Sequence, residues 1–230
     1  MKKIKQKPTM DEKLNTLRAG VLGSNDGILT VVGVLFSVAV ATPNIFTIFI
    51  AGLSDLLACA FSMASGEYAS VSSQRDAESA SVEKERQLLQ TNFAGEKQTV
   101  IDFYMQRGIT EETAIEIADE LVAKKPLETL VNIKYNMELG RYMNPWSAAF
   151  SSLFSAALGG LFPLLAMSLT SGVYRWPATI LAVIVSVGLT GFLSAKLGDG
   201  KVKTAVIRNI IIGILTMIIH YVTGEIMNQF

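Results

Sequence analysis

Cysteine and histidine occur once each in 230 residues, as Cys59 and His220, and that scarcity closes several routes at once. A lone cysteine forms no intrachain disulfide and carries no sign of an oxidising compartment. Haem and iron–sulfur ligation are not expected within one such chain. The sequence also lacks a glycine-rich nucleotide loop, HExxH, a cysteine–histidine cluster and GxSxG. The reading is a non-enzyme with no resident cofactor. An excess of one charge is missing too: 20 Lys and Arg balance 20 Asp and Glu, so nothing points to nucleic acid as a partner. The N-terminal stretch MKKIKQKPTMDEKLNTLR is charged but has neither the short apolar core nor the small-residue cleavage site of a signal peptide. The first apolar segment is therefore expected to stay in the mature protein.

What is present is apolar length. Half of the residues are hydrophobic and the 17% that are charged fall into a few blocks, which is a membrane pattern. A spanning helix needs about 20 mostly apolar residues, and five stretches qualify: Ala19 to Val40, Ile45 to Tyr68, Ser147 to Leu169, Pro177 to Leu197, and Thr204 to Gly224. Ala41 to Asn44, with Pro43, is only a turn, so the first two spans form a hairpin. Trp146 and Trp176 stand where interfacial aromatics belong. Lys2, Lys3, Lys5, Lys7, Lys13 and Arg18 precede the first span, and Lys196, Lys201, Lys203 and Arg208 surround the fourth-to-fifth connection. By the positive-inside rule the N-terminus is cytoplasmic and the C-terminus outside.

The segment 72–144 then lies in the cytoplasm. Its apolar residues recur at helical spacing, as in Ala114, Ile117, Ala118 and Leu121, which predicts helices over Glu78 to Gln90, Glu96 to Arg107, Glu111 to Lys124 and Leu127 to Tyr142. Thr110 followed by Glu111 and Glu112 reads as a helix start and Gly108 as a stop. With no strand pattern, the fold class is an all-α membrane protein: five transmembrane helices with a helical cytoplasmic domain inserted between helices 2 and 3. Its expected parts are an N-terminal segment 1–18, spans one and two in 19–71, the helical domain 72–144, and the remaining spans in 145–230.

Acidic residues inside spans are costly, and they face a cavity or a partner. Asp26 lies in the first span, Asp55 and Glu67 in the second, and Glu225 at the end of the fifth. Asp55, Cys59, Met63 and Glu67 follow at intervals of four, drifting only about 120° around a helix, and share one face. Carboxylates beside a thiol and a thioether suit a borderline transition metal better than calcium or magnesium. Plainer readings stand beside this one. Met63 and Cys59 are ordinary packing residues, Glu67 can serve the interface, and Asp26, with Ser24 and Asn25, is an N-cap type. Counting from Arg18 at the cytoplasmic edge, however, places Asp26 about 10 Å along the helix, which weakens the cap. Asp55, near mid-membrane, is hardest to explain without function. His220 reads as an interhelical hydrogen-bonding group or a proton carrier. Gly23 and Gly27, spaced as a small-xxx-small pair, allow close approach of another helix, here a second copy of the first span.

The stretches RAGVLGSNDGILTVVGVLFSVA, AGLSDLLACAFSMASGEYASVSSQRDAE, ELG and SAAFSSLFSAALGGLFPLL together resemble the vacuolar iron transporter family over nearly the whole chain after residue 15. The resemblance implies five spans, a homodimer with a metal path between its subunits, and export of ferrous iron or manganese from the cytoplasm in exchange for protons. It implies that Asp26 and Met63 occupy path positions and that Asp55 stands where vacuolar members have a glutamate. It also implies that Glu85, Glu96 and Glu138 belong to a cytoplasmic ladder of metal-collecting glutamates. Leu88 and Thr99 depart from that ladder, and Lys134 and Tyr135 stand where vacuolar members carry two methionines.

The leading expectation is a proton-coupled exporter of Fe2+ or Mn2+, its substrates and not cofactors. Metal enters near Glu67 and Met63, passes Asp55 and leaves past Asp26. The alternative is a membrane-anchored metal sensor or adaptor acting through its cytoplasmic helices. A third reading keeps the fold but moves zinc or cobalt. A short chain with a lysine-rich start and no targeting extension is expected in a prokaryotic inner membrane.

Overall fold

The computed structural model describes residues 10–229. Lys2, Lys3, Lys5 and Lys7, which contribute to the expected orientation, lie outside the described residues. Eight α-helices follow in order: α1 (Met10–Ala41), α2 (Ile45–Thr91), α3 (Phe93–Met105), α4 (Glu111–Lys124), α5 (Pro126–Tyr135), α6 (Pro145–Leu169), α7 (Arg175–Leu197) and α8 (Val202–Met227). Among the described residues there is no strand, and five helices are long and apolar enough to cross a membrane: α1, α2, α6, α7 and α8. The chain divides into two compact units, one of residues up to Ser70 and from Asn144 onward, the other Val71–Met143.

In the first unit α1 is central. Ile28, Val31, Val32, Leu35 and Phe36, spaced to share a helical face, bury completely or nearly so. They meet Ile48 and Leu56 of α2, Leu164 and Met167 of α6, Val183 and Val187 of α7, and Met217 of α8. The opposite kind of surface runs down α6, where Trp146, Phe150, Phe154, Leu158 and Phe162 are exposed at steps of four. In a bilayer such a face meets lipid at no cost.

Where α1 and α6 touch, small residues bring the backbones together. A Cβ on Gly23 would come within 2.6 Å of the Ser152 carbonyl oxygen, and one on Gly27 would collide with the carbonyl of Ala156. Gly159 answers from α6, where an added Cβ would come as close to the carbonyl oxygen of Ser24. The small-xxx-small pair of α1 is thus taken up inside the chain by α6, and the expected use of Gly23 and Gly27 to seat a second copy is corrected: the approach they permit is already filled. Asp26 sits in the middle of a continuous helix, which removes the capping reading as well.

The second unit packs Val100 and Ile101 of α3, Ala114, Ala118 and Val122 of α4, and Leu130 of α5 into one core, with Leu89 of α2 against it. Two helix expectations change here. Glu78 to Gln90 is not a separate helix but the continuation of α2, because no Gly or Pro interrupts the chain between Glu67 and Thr91. Helix α2 has 47 residues, about 70 Å at 1.5 Å per residue, against a hydrocarbon core of about 30 Å. The helix expected from Leu127 to Tyr142 stops at Tyr135, where Asn136 adopts the left-handed conformation (φ 53°) and its N–H closes on the Asn132 carbonyl. Asparagine tolerates that conformation better than most side chains, and a helix ends on it. Helix α4 spans Glu111 to Lys124 as expected, with Thr110 as its cap residue and Gly108 at φ 87° before it.

Candidate functional site

Within the first unit, α1 and α2 run antiparallel and set their polar side chains against each other in register. The Arg18 guanidinium binds the Glu67 carboxylate at 3.1 Å. Eight residues further along α1, and eight back along α2, the Cys59 thiol donates to Asp26 Oδ2 at 3.4 Å. One more turn in each direction brings Thr30 beside Asp55. The order along the helices is therefore Glu67, Met63, then Asp26 with Cys59, then Asp55. The expected sequence of Asp55 before Asp26 is reversed.

Each group has a distinct environment. Glu67 is 6% exposed, and Arg18 neutralises its carboxylate. Met63 packs with Cys59 and Ala60 against Ala156 and Leu153, so the thioether fills an apolar seam one turn from the carboxylates. Asp26 and Asp55 are both half-buried and near enough for their charges to act on each other. Asp55 Oδ2 and Thr30 Oγ1 are buried beside each other, and Asn25 Oδ1 is buried without a hydrogen-bond partner. A buried carboxylate with a single neutral hydroxyl beside it is expensive in a low-dielectric setting, and a cation or a proton reduces that cost. His220 of α8 lies near Asp55. Its imidazole lies against Gly33, where an added Cβ would come within 2.7 Å of Nε2, and its backbone carbonyl accepts a hydrogen bond from the Ser37 hydroxyl at 3.2 Å. Among the described residues no three or more His, Cys, Asp or Glu side chains gather as a metal-holding group. One chain supplies a pair of carboxylates here and not a full coordination sphere.

A second polar cluster lies inside the helical unit. Glu85 of α2 and Glu96 of α3 are buried, with side chains 1% and 6% exposed. Both bind the Lys134 ammonium of α5, Glu85 Oε2 at 2.8 Å and Glu96 through a short contact. The Tyr135 hydroxyl donates to Glu85 Oε1 at 2.8 Å. Burial alone would push the Glu85 carboxyl up, but the hydrogen bonds from Lys134 and Tyr135 and the lysine charge outweigh it and hold the group below the usual glutamate range. Burial would likewise lower Lys134, and its two carboxylate partners instead raise it. Glu138 is exposed and pairs with Arg141 at 2.5 Å. The three glutamates expected as a ladder therefore do not converge: two share a lysine and the third stands on the surface.

Of the residues picked out in the sequence, Asp26, Asp55 and Glu67 have neighbours across the α1–α2 seam, while Met63 packs against Leu153 and Ala156 of α6. Sequence reasoning missed Arg18 as the partner of Glu67 and Thr30 as the neighbour of Asp55. The signal for Thr30 was present as a polar residue one turn beyond Asp26 in an apolar run.

A sequence model of the VIT family matches residues 17–225. The vacuolar iron transporter of Acanthamoeba castellanii is 34% identical over 211 residues, covering 90% of this chain and 77% of its own. Vacuolar iron transporter homolog 2 of Oryza sativa subsp. japonica is 30% identical over 210 residues, covering 89% and 87%. Vacuolar iron transporter homolog 2.1 of Arabidopsis thaliana is 26% identical over 212 residues, covering 91% and 80%. The match takes in α1 with its aspartate, α2 with its acidic face, the helical unit and the last three apolar helices, and the chain belongs to the VIT family.

Proposed function

We propose that the protein is a proton-coupled exporter of divalent iron or manganese, carrying its substrate along the polar seam between α1 and α2. The observation that carries this reading is Asp55: a half-buried carboxylate on a membrane-length helix, with one oxygen buried, the Thr30 hydroxyl as its neighbour and the Asp26 carboxylate close by. Lipid-anchoring alone has no use for such a group, which counts against the adaptor alternative. The names of the relatives support iron as cargo.

Metal ligands must be deprotonated, so protons and metal compete for the same carboxylate oxygens. Metal taken up at the cytoplasmic end meets Met63, then Asp26 and Cys59, then Asp55, and protons arriving from the far side displace it. Two half-buried carboxylates per chain fall short of a full coordination sphere for a divalent transition metal. A homodimer placing two such pairs around one path would complete the set, with the N-terminus and residues 71–143 on the cytoplasmic side.

Reconstituted proteoliposomes test the proposal. Mn2+ should accumulate when a pH gradient is imposed and stop when it is collapsed, and an Asp55→Ala variant should fall to the level of empty vesicles. Undiminished gradient-driven transport by Asp55→Ala would sink the path.

A further inference from the structure

The helical unit contains two buried carboxylates facing one another, the kind of pair that elsewhere holds a cation, and here the cation is part of the chain. Lys134 reaches both Glu85 and Glu96 while remaining only 21% exposed. The other oxygen of Glu85 accepts from the Tyr135 hydroxyl, so both oxygens of that carboxylate already have a partner from the chain itself. Lys134 is held in place by its helix, whose neighbouring residues Leu130 and Val131 are fully buried.

We infer that the Lys134 ammonium is the resident cation of residues 71–143, that this unit folds and stays folded without metal, and that it does not collect metal for the membrane path. The competition is unequal. An ammonium tethered on a packed helix acts at an effective concentration of at least about millimolar, and a free divalent ion must displace it from two charge-assisted hydrogen bonds. The displaced ammonium would then need a new partner in a site built around it. Tyr135 strengthens the same arrangement, since a neutral hydroxyl donating to Glu85 satisfies that carboxylate without adding a metal ligand.

The inference concerns the helical unit and holds whether or not the seam between α1 and α2 carries metal, so its test reads binding and local stability and not transport. The full chain in detergent is titrated with Mn2+, the free ion being followed by electron paramagnetic resonance. Glu85→Gln, Glu96→Gln and Lys134→Met are combined in one variant, which removes the charges together and leaves no buried ion unpaired. That triple variant should bind as many Mn2+ ions per chain as the wild type, and loss of an ion would overturn the inference.

Hydrogen exchange over 82–101 and 127–135 gives the second reading. Wild-type exchange should be the same in Mn2+ and in chelator to within about twofold, while Lys134→Met alone should exchange at least about tenfold faster. Metal-dependent protection of the wild type, or a Lys134→Met variant as protected as the wild type in chelator, would contradict it. If Lys134→Met does not fold, the triple variant still decides through its Mn2+ count.

Discussion

Asp55 and Glu67 sit on one face of the same helix, yet their neighbours give them different work. Glu67 has a guanidinium at 3.1 Å, and removing it in Arg18→Gln leaves a buried carboxylate unpaired. Because the Arg18 side chain is 55% exposed, screening and water limit the loss to about 1–2 kcal/mol; a lowered melting temperature of the detergent-solubilised protein would register it. Glu85 and Lys134 give a pH signature. The Glu85 carboxyl lies below its ordinary value, so its pairing stabilises fully above about pH 4.3 and is lost as pH falls further. Lys134 lies above its ordinary value, so its share is complete below about pH 10.4 and is lost as pH rises past that. Circular dichroism melts should show a plateau between these limits with a fall at either end, and the triple neutral variant should flatten both falls. Asp26 and Asp55 were legible in the sequence, since acids in apolar runs announce themselves. Arg18, Thr30 and Lys134 were not, because their roles arise from the register of helices far apart in the chain.

At the scale of elements, helix ends were legible where local chemistry set them and illegible where an interruption failed to occur. Thr110 with two following glutamates fixed the start of α4, while α6 begins at Pro145, two residues before the expected Ser147, where the Asn144 side chain accepts from the Trp146 N–H at 3.1 Å. The long continuation of α2 past its apolar stretch had no such mark, because a polar helix following an apolar one changes composition without changing backbone. The left-handed Asn136 that ends α5 is one residue's conformational choice and leaves the apolar spacing around it intact. Gly27 at the α1–α6 contact and Gly66 on α2 make a sharp comparison. Gly27→Ala forces a methyl into the Ala156 backbone and should cost about 1–3 kcal/mol by overpacking. Gly66→Ala, with nothing within 4 Å, should gain about 0.5–1 kcal/mol from helix propensity. Thermal melts of the two variants should therefore shift in opposite directions.

For the whole molecule, five membrane-length helices were visible as composition, and a family match across residues 17–225 agrees with them. The polar seam and the lysine-bridged glutamates divide the acidic residues into two kinds. Glu85 and Glu96 of the helical unit share the chain's own Lys134, while the buried oxygen of Asp55 in the seam has only the Thr30 hydroxyl beside it. Coupled exchange at that carboxylate is the central claim, and simultaneous recording of Mn2+ and proton movement in proteoliposomes tests it most directly. Wild-type protein should move protons against Mn2+, and Asp55→Asn, which keeps shape and loses the titratable charge, should abolish both fluxes together. Mn2+ movement without proton counterflow in the wild type, or full coupled exchange in Asp55→Asn, would contradict the account.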